Sequence, residues 1–301
     1  MSTLVFIEFN KSKISESSAQ AATLANELND EVYGLTSNND DDYISSLGSK
    51  GFDKIFVIDD FNNFSAIEEI INNNDIKTIF SPSSNTFKKL SSKISIKFNF
   101  PIASNVLKID KNGKISSSIF TGKAESHMIN DNDSCIYLLN KNIIESRDFD
   151  KKVDIMKIDS EISENKSFEI LEQKFIEEEI SLNDADIVIS AGRGLKGPEN
   201  WQMIEDLAKK LNAATACSKP VSDAGWRPHH EHVGQTGLKI SPKIYFAIGI
   251  SGAIQHLAGV NSSKTIIVIN NDPDAPFFKA ADYGIVGDAF EVIPKIINSL
   301  S

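Results

Sequence analysis

The sequence predicts an α/β protein with two domains, each built on a mainly parallel sheet flanked by helices. Three observations lead to this fold class. Short apolar runs typical of strands alternate with helical patterns in both halves of the chain, as in βαβ units. The length of 301 residues exceeds what one ordinary hydrophobic core organises. The composition also changes along the chain, because 11 of the 16 glycines follow residue 183.

In the first half, the predicted elements follow one another as a right-handed parallel sheet requires. They are strand Leu4–Glu8, an Ala-rich helix ending at Leu28, strand Glu31–Leu35, strand Lys54–Ile58, a helix near Ile67–Ile71 and strand Lys77–Phe80. After Pro101, Asn112-Gly113 separates two alternating runs, which indicates a β-hairpin. Antiparallel strands are therefore expected at the border of this sheet. The runs Asp40–Asp42 and Asn72–Asn74 are interpreted as solvated loops.

A domain boundary is predicted near residue 183, after a charged helical pattern over Ser167–Ala185. Residues 183–301 hold 11 Lys and Arg against 12 Asp and Glu, a net charge of -1, whereas residues 1–182 carry -10. The predicted domains are therefore 1–182 and 183–301. The second contains strand Asp186–Ser190, helix Pro198–Leu211, strand Ala213–Cys217, strand Ile244–Ile250, helix Gly252–Leu257, strand Thr265–Asn270, strand Tyr283–Gly287 and a terminal helix.

The composition argues against several classes of protein. No window approaches 18 consecutive apolar residues, so no membrane span is expected. Cys135 and Cys217 are too few for a disulfide scaffold or a four-cysteine zinc site. The net charge of -11 argues against a general nucleic-acid binder. The opening MSTLVFIEFN lacks the features of a signal or transit peptide, so a cytoplasmic, reducing location is expected.

The first motif is Gly192–Gly197 (GRGLKG), which matches G-x-G-x-x-G between a predicted strand and a predicted helix. Glycines there let the backbone approach a pyrophosphate, whose charge the N–H groups of the helix start stabilise, and Arg193 adds a cation. A tight strand-to-helix turn is an equally open interpretation. A nicotinamide site also needs a carboxylate about 20 residues further on to bind the ribose. Cys217–Pro220 (CSKP) stands there, which weakens an NAD interpretation and leaves a phosphate-rich ligand compatible.

Two further segments place polar side chains between glycines. Val233–Gly237 (VGQTG) offers an amide and a hydroxyl to the edge of a planar heterocycle, although many turns have such a sequence. Gly249–Gly259 (GISGAIQHLAG) places Ser251 where it can cap a helix and face a phosphate. The spacing around Ser251 is not that of a nucleophile elbow. His256 by itself is more typical of a hydrogen-bonded structural histidine than of a catalytic one.

Two strand ends and one histidine cluster complete the candidates. Asn270 and Asp288 end apolar strands, where ligands bind in open α/β sheets, and turn formation is the alternative. The segment His229–His232 (HHEH) is interpreted as a polar loop. Adjacent histidines rarely face one ion, and no second cluster completes a set of metal ligands.

Taken in order, these segments closely resemble the α subunit of the electron transfer flavoproteins. The series is GRGLKGPENW, CSKPVSDAGW, VGQTG, SPKIY, GISGAIQHLAG and INNDPDAPFFKAADYGIVGD, and it covers residues 186–301 without apparent gaps. Residues 1–182 resemble the family only in the opening STLVFIE strand and the βα rhythm. The resemblance implies that residues 183–301 form an FAD-binding domain of flavodoxin-like or NAD/FAD-binding type. It also implies that residues 1–182 contact a partner β subunit.

The resemblance further implies an electron carrier of fatty acid β-oxidation. Such a heterodimer accepts electrons from acyl-CoA and related dehydrogenases and passes them to a quinone-linked oxidoreductase, without a substrate turnover of its own. No nucleophile or acid–base pair is recognisable in the sequence, which agrees with a carrier. Two alternatives stay open, namely an NAD-dependent dehydrogenase and a nucleotide-binding module with no redox role. Neither nucleic-acid binding nor membrane insertion is expected.

Site residues are carried over by motif, and the resemblance implies contacts with FAD for twelve of them: Arg193, Ser218, Lys219, Gln235, Thr236, Gly237, Ser251, Gly252, Gln255, His256, Asn270 and Asp288. Arg193 is expected over the flavin ring, Thr236 at N5 and Gln235 at the ring edge.

The other expected contacts extend along the cofactor. His256 is expected near the N1–C2=O edge, Ser218 and Ser251 at the phosphates or ribityl chain, and Asn270 and Asp288 at the adenosine end. Lys219 departs from the family's usual arginine, and it keeps a cation but loses the planar fork. Arg193, Lys219 and His256 are together expected to stabilise negative charge on the reduced flavin.

Overall fold

The structure is a computed structural model that describes residues 2–10, 13–28, 31–110, 112–120, 124–158, 180–183 and 185–300. The chain divides into two compact units, residues 1–173 and 174–301. The boundary predicted near residue 183 lies close to this division and stays a prediction. Most of the helical pattern predicted over Ser167–Ala185 lies outside the described residues.

The first unit contains a nine-stranded sheet in the order β11-β5-β4-β1-β6-β10-β7-β8-β9. A small antiparallel ribbon, β2 with β3, follows β1. The elements are β1 (Ser2–Phe6), β2 (Phe9–Asn10), β3 (Lys13–Ile14), α1 (Glu16–Leu28), β4 (Glu31–Thr36), α2 (Asp41–Ser45), β5 (Lys54–Val57), α3 (Phe64–Asn73), β6 (Thr78–Pro82), α4 (Asn85–Phe98), β7 (Ile102–Ile109), β8 (Lys114–Ile119), β9 (Ala124–Ile129), β10 (Cys135–Leu139) and β11 (Asp154–Lys157).

Both faces of this sheet are covered, which explains its continuous apolar strands. Side chains alternate between the faces: Leu4 and Phe6 of β1 lie in one core cluster, and Val5 lies in the other. The parallel βα arrangement predicted for the first half is confirmed. The hairpin predicted at Asn112-Gly113 is also confirmed, because β7 and β8 pair antiparallel at the border and β9 extends them.

Two runs interpreted as loops belong to helices, so that interpretation is wrong. Asp40 is the N-cap of α2, and its carboxylate accepts hydrogen bonds from the N–H groups of Asp42 (3.1 Å) and Tyr43 (3.4 Å). Acidic side chains at a helix start are favourable because they satisfy free N–H groups and complement the dipole. Residues 72–74 form the end and the C-cap of α3.

The second unit contains a five-stranded, fully parallel sheet in the order β13-β12-β14-β15-β16. Numbered along the chain this order is 2-1-3-4-5, the flavodoxin-like arrangement of doubly wound sheets. The elements are β12 (Ile187–Ala191), α5 (Gln202–Leu211), β13 (Ala214–Cys217), α6 (Lys219–Asp223), β14 (Ile244–Ile248), α7 (Ile254–Leu257), β15 (Thr265–Asn270), β16 (Tyr283–Val286) and α8 (Ala289–Ser299).

The strand order of the second unit creates a switch point. From β12 the chain continues to β13 on one side, and β14 lies on the other side. The loops that follow β12 and β14 therefore diverge to opposite faces and leave a crevice at their carboxyl ends, which is where open α/β sheets bind ligands. The core clusters on the two faces hold Tyr245 and Ile248 of β14, respectively, and fix this strand between them.

Candidate functional site

A cavity of about 470 Å³ opens at the carboxyl ends of β12 to β15. This volume is typical of small-molecule sites. The cavity is lined by nine of the twelve residues predicted from the sequence, namely Arg193, Ser218, Lys219, Gln235, Thr236, Ser251, Gln255, His256 and Asn270. The other three, Gly237, Gly252 and Asp288, do not line it.

The glycine loop after β12 brings two backbone turns together. The N–H of Gly194 donates to the carbonyl of Gly249 at 3.1 Å. A Cβ on Gly194 would lie 2.6 Å from the Cα of Gly249, and one on Gly249 would lie 2.8 Å from the Cα of Gly194. These two glycines are therefore needed for loop-to-loop contact. The expected helix start at Pro198 is wrong, because α5 begins only at Gln202, after two short 3-10 turns.

The two cations of the cavity differ in their surroundings. Lys219 forms an ion pair with Asp223 one helical turn away, and its hydrogen bond is the main cause that lowers the pKa of that carboxyl. Arg193 is exposed, and within the described ranges its guanidinium has no hydrogen bond or ion pair. Arg193 is therefore the cation whose charge is more available to an anion in the cavity.

The VGQTG turn is attached to α7 through its backbone. The N–H of Gln235 donates to the carbonyl of Gln255 at 2.7 Å, while the side chains of Gln235 and Thr236 stay exposed at the cavity. Gly237 packs against His232, whose Nδ1 atom would lie 2.8 Å from a Cβ at Gly237. Gly237 thus shapes the turn, and the structure does not bring it to the cavity wall.

The turn after β14 is closed against Phe277. The carbonyl of Ser251 accepts a hydrogen bond from the N–H of Phe277 at 3.1 Å. Gly252 has φ +86°, and a Cβ there would meet the Phe277 backbone at 2.5 Å. The predicted capping role of Ser251 is wrong, because Ala253 is the N-cap of α7. Ser251 nevertheless lines the cavity with an exposed side chain.

His256 is buried at the cavity wall and is hydrogen-bonded to Tyr245. Its Nε2 atom lies 2.8 Å from the Tyr245 hydroxyl. Burial, reinforced by nearby His232, lowers the pKa of His256 to about 4. The imidazole is therefore neutral at pH 7, so His256 can stabilise negative charge on a ligand by a hydrogen bond but not by a charge of its own, and its predicted contact with FAD stays a prediction.

His232 lines the cavity, although the sequence analysis interpreted the HHEH segment as a polar loop and did not select this residue. It is buried, and burial followed by the charges of His229 and Lys219 lowers its pKa. The signal that existed in the sequence was its position immediately before VGQTG, since the Gly237 turn folds back onto the His232 ring.

The two polar strand ends have different roles. Asn270 lines the cavity, and its amide braces the wall by donating to the carbonyl of Ile250 (3.0 Å) and accepting from the N–H of Asp272 (3.1 Å). Asp288 lies outside the cavity wall, where its carboxylate caps α8 by accepting from the N–H of Phe290 (3.0 Å). Asp288 is therefore a helix cap in the described structure, and its predicted contact with the adenosine end of FAD stays a prediction.

An ion-pair network anchors the HHEH loop on the side opposite its cavity-lining residue His232. Arg227 donates from Nε to the buried carboxylate of Glu231 (2.9 Å) and from Nη1 to Glu205 of α5 (2.9 Å). Its guanidinium also lies 5.4 Å from the ring centroid of Trp201. Across the described ranges, no group of three His, Cys, Asp or Glu side chains is arranged to hold a metal ion.

Comparisons with known proteins match both units. A family model described as the electron transfer flavoprotein FAD-binding domain matches residues 181–261. A second model, the electron transfer flavoprotein domain, matches residues 3–163, which is more than half of the chain. The chain belongs to the electron transfer flavoprotein alpha-subunit family.

Named relatives agree with this assignment. The electron transfer flavoprotein subunit alpha of Thermoanaerobacterium thermosaccharolyticum is 52% identical over 121 residues, which cover 40% of this chain and 37% of that protein. The mitochondrial subunit alpha of Arabidopsis thaliana is 52% identical over 119 residues, 40% of this chain and 33% of that protein. These two matches thus span about a third of the relatives' length. The subunit alpha of Syntrophomonas wolfei is 29% identical over 312 residues, covering 99% of this chain and 98% of that protein.

The cavity residues fit FAD, the cofactor of the matched electron transfer flavoprotein domain. A dinucleotide with a planar ring and a pyrophosphate needs cations, hydroxyls and hydrogen-bond donors, which Arg193, Ser218 and Ser251 supply. Within the described ranges, the buried Nδ1 atoms of His232 and His256 have no hydrogen-bond partner. Such atoms carry a free-energy penalty that a polar ligand in the cavity removes.

Within the described ranges, every helix is too short or too polar to cross a bilayer.

Proposed function

We propose that the chain is the FAD-carrying subunit of a heterodimeric electron carrier. It pairs with an electron transfer flavoprotein β subunit, accepts electrons from acyl-CoA and related dehydrogenases, and delivers them to a quinone-linked oxidoreductase. The proposal rests on the flavoprotein family assignment and on one observation: cations, hydroxyls and amides from four strand ends converge on one cavity at the switch point of the sheet.

Different residues of the cavity would contact different parts of the cofactor. Gln235 and Thr236, on the exposed turn tied to α7, would hydrogen-bond the edge of the flavin ring. Ser218 and Ser251 would serve the pyrophosphate or ribityl chain, and Asn270 the adenosine end, with Gln255 completing the wall. When bound, FAD supplies reversible electron uptake and release.

The charges of the cavity set how readily the bound cofactor accepts electrons. Arg193 brings positive charge without a competing partner among the described residues, whereas Lys219 shares its charge with Asp223. Positive charge beside the cofactor favours its reduced, more negative form, and each 1.4 kcal/mol raises a one-electron potential by roughly 59 mV. The neutral His256 adds a polar contact without adding charge.

The structure offers no support for the nicotinamide alternative. Doubly wound domains that bind NAD hold the ribose with a carboxylate about 20 residues beyond the glycine loop. In this chain that position is the end of β13, where Cys217 is followed by Ser218 and Lys219. The cavity wall at this point carries a hydroxyl and a cation.

The test is to co-express the chain with a β subunit from the same source, purify the pair and record its absorbance spectrum during a dithionite titration. We expect a flavin spectrum that bleaches on reduction and recovers when an electron acceptor is added. An acyl-CoA dehydrogenase with its substrate should reduce the complex as well. A pair that stays colourless after incubation with excess FAD contradicts the proposal, and reduction by NADH alone favours the nicotinamide alternative.

A further inference from the structure

A buried pair of side chains, Tyr245 and His256, connects the core of the second unit to the cavity wall. Tyr245 lies on β14 with no exposed surface, and His256 lies on α7 with 7% exposure. The hydroxyl of Tyr245 is 2.8 Å from Nε2 of His256. His256 lines the cavity, whereas Tyr245 does not. The tyrosine is therefore placed to act on a ligand only through the histidine.

Phe277 holds both rings in place. Its ring is fully buried, stacks on Tyr245 with 6.3 Å between centroids, and meets His256 edge-on at 5.7 Å. Aromatic contacts of this geometry restrict ring rotation. The orientation of the imidazole is thus fixed, with Nε2 toward the core and Nδ1 left without a partner in the described chain.

The position of the proton on the His256 imidazole follows from which hydrogen bonds its two nitrogens and the Tyr245 hydroxyl can form. A neutral imidazole has one donor nitrogen and one acceptor nitrogen. Within the described ranges, Nε2 of His256 is in hydrogen-bond geometry with the Tyr245 hydroxyl, whereas the nearby Ser190 hydroxyl, which acts to lower the pKa of Tyr245, makes no hydrogen bond. If Nε2 carried the proton, the hydroxyl hydrogen would be buried without an acceptor, at a cost of about 1–3 kcal/mol. If the hydroxyl donates to Nε2, the proton lies on Nδ1 and both groups are satisfied.

The charge states of both groups agree with this arrangement. Burial strongly raises the pKa of Tyr245, so its hydroxyl stays protonated and can donate. Burial and the neighbouring His232 lower the pKa of His256 to about 4, so the ring is neutral and one of its two nitrogens can accept a hydrogen bond. Among the described residues, no charged side chain is within hydrogen-bond distance of Nδ1 or Nε2 of His256.

We propose that Tyr245 is a positioning residue that fixes His256 as the Nδ1–H form and so presents a neutral hydrogen-bond donor to an acceptor atom of the bound flavin. This inference rests on the proposed function for the identity of the ligand. Through this bond the core of the domain, and not only the cavity loops, controls how well the wall stabilises electron density on the flavin.

The direct test is nitrogen NMR of histidine-labelled, FAD-loaded heterodimer at pH 7. We expect His256 to show a protonated Nδ1 and a hydrogen-bonded, unprotonated Nε2. A protonated Nε2 overturns the inference. If the complex holds no flavin, the proposed function fails, whereas the signals of His256 still report which nitrogen carries the proton.

A double-mutant cycle tests whether Tyr245 acts through His256. Tyr245→Phe keeps the ring on Phe277 and removes the hydroxyl, so we expect the flavin potential to fall by about 40 mV, a fivefold change in a one-electron equilibrium. His256→Asn carries an amide donor near the Nδ1 position that needs no tyrosine, so adding Tyr245→Phe to it should leave the potential unchanged. An equal shift in both backgrounds overturns the inference.

A matched control removes a hydroxyl from the other unit. Tyr33→Phe deletes the hydroxyl that bonds Glu31 at 2.8 Å on β4. The flavin potential of this variant should match that of the unmodified complex. A shift as large as that of Tyr245→Phe would show that loss of a hydroxyl acts through general stability, and it would overturn the assigned role.

Discussion

The two units share a parallel α/β plan but use the carboxyl ends of their strands differently. After β1 of the first unit, the hydroxyls of Ser15 and Ser18 bond each other at 2.9 Å, and Ser18 also accepts from the N–H of Glu8 at 2.9 Å. After β12 of the second unit, Arg193 has no partner within the described ranges. The polar groups after β1 are hydrogen-bonded to each other, whereas Arg193 after β12 stays available to a ligand. The sheet therefore provides the scaffold, and the loop chemistry provides the site.

The largest expected effect on this comparison comes from adding a methyl group to one glycine in each unit. Gly194→Ala puts a Cβ 2.6 Å from the Gly249 backbone, so the two loops must separate. Overpacking of this kind costs about 3 kcal/mol, and we expect FAD to bind about a hundredfold more weakly. Gly113→Ala is the control, because its φ is +76° but nothing lies within 4 Å of the added atom. Fluorescence titration with FAD should separate the two variants, and equal affinities would contradict the loop contact.

The next test concerns pH. Because the pKa of folded His256 is about 4 and that of an unfolded histidine is about 6.5, the unfolded chain binds the extra proton first as pH falls. This contribution to stability is complete above pH 6.5, and about 3 kcal/mol of it is lost by pH 4. Urea unfolding at several pH values should show the slope, and His256→Asn should reduce it. An unchanged slope in His256→Asn would contradict the assignment of this pH dependence to His256.

A charge test then compares two arginines. Arg193→Gln should lower the flavin potential by about 60 mV, because it removes the unpaired cation of the cavity. Arg147→Gln removes an equal charge from the first unit, where Arg147 pairs with Glu27 at 3.1 Å, and should change the potential by a few millivolts at most. Spectroelectrochemistry measures both. Similar shifts would mean that total charge, and not its place, sets the potential.

The smallest expected effect comes from releasing Lys219. Asp223→Asn removes the ion-pair partner of this lysine, so more of its charge reaches the cavity and the flavin potential should rise by about 10–20 mV. The matching change in the first unit is Asp148→Asn, which releases Lys50 and should leave the potential unchanged. A fall in potential after Asp223→Asn would contradict a cationic role for Lys219.

Local signals carried much of the fold and of the site. Apolar runs located β12, β14 and β15, and a glycine follows the first two closely, because buried parallel strands are nearly continuous in apolar residues. The motifs also selected nine residues that one cavity brings together. The buried run Cys135–Leu139 was not predicted as a strand, since a five-residue apolar segment without alternation gives no distinctive period.

What the sequence did not predict depends on tertiary contacts. The neutral state of His256 follows from burial beside Tyr245, eleven positions earlier in the chain, which no local pattern encodes. The same limit applies to His232, whose ring is covered by the returning turn at Gly237. Asp288 shows the same limit, because a strand-end carboxylate that contacts a ligand and one that caps a helix cannot be distinguished until the direction of the side chain is known.

The wall of the cavity begins at Gly192 and ends at Ala275, so its parts are spread over about two thirds of the second unit. During synthesis the early loops therefore leave the ribosome long before the last strand that completes the wall. A complete cavity wall therefore requires the chain as far as residue 275. A chain truncated ahead of β15 would lack Asn270 and Ala275, and its cavity wall would be incomplete.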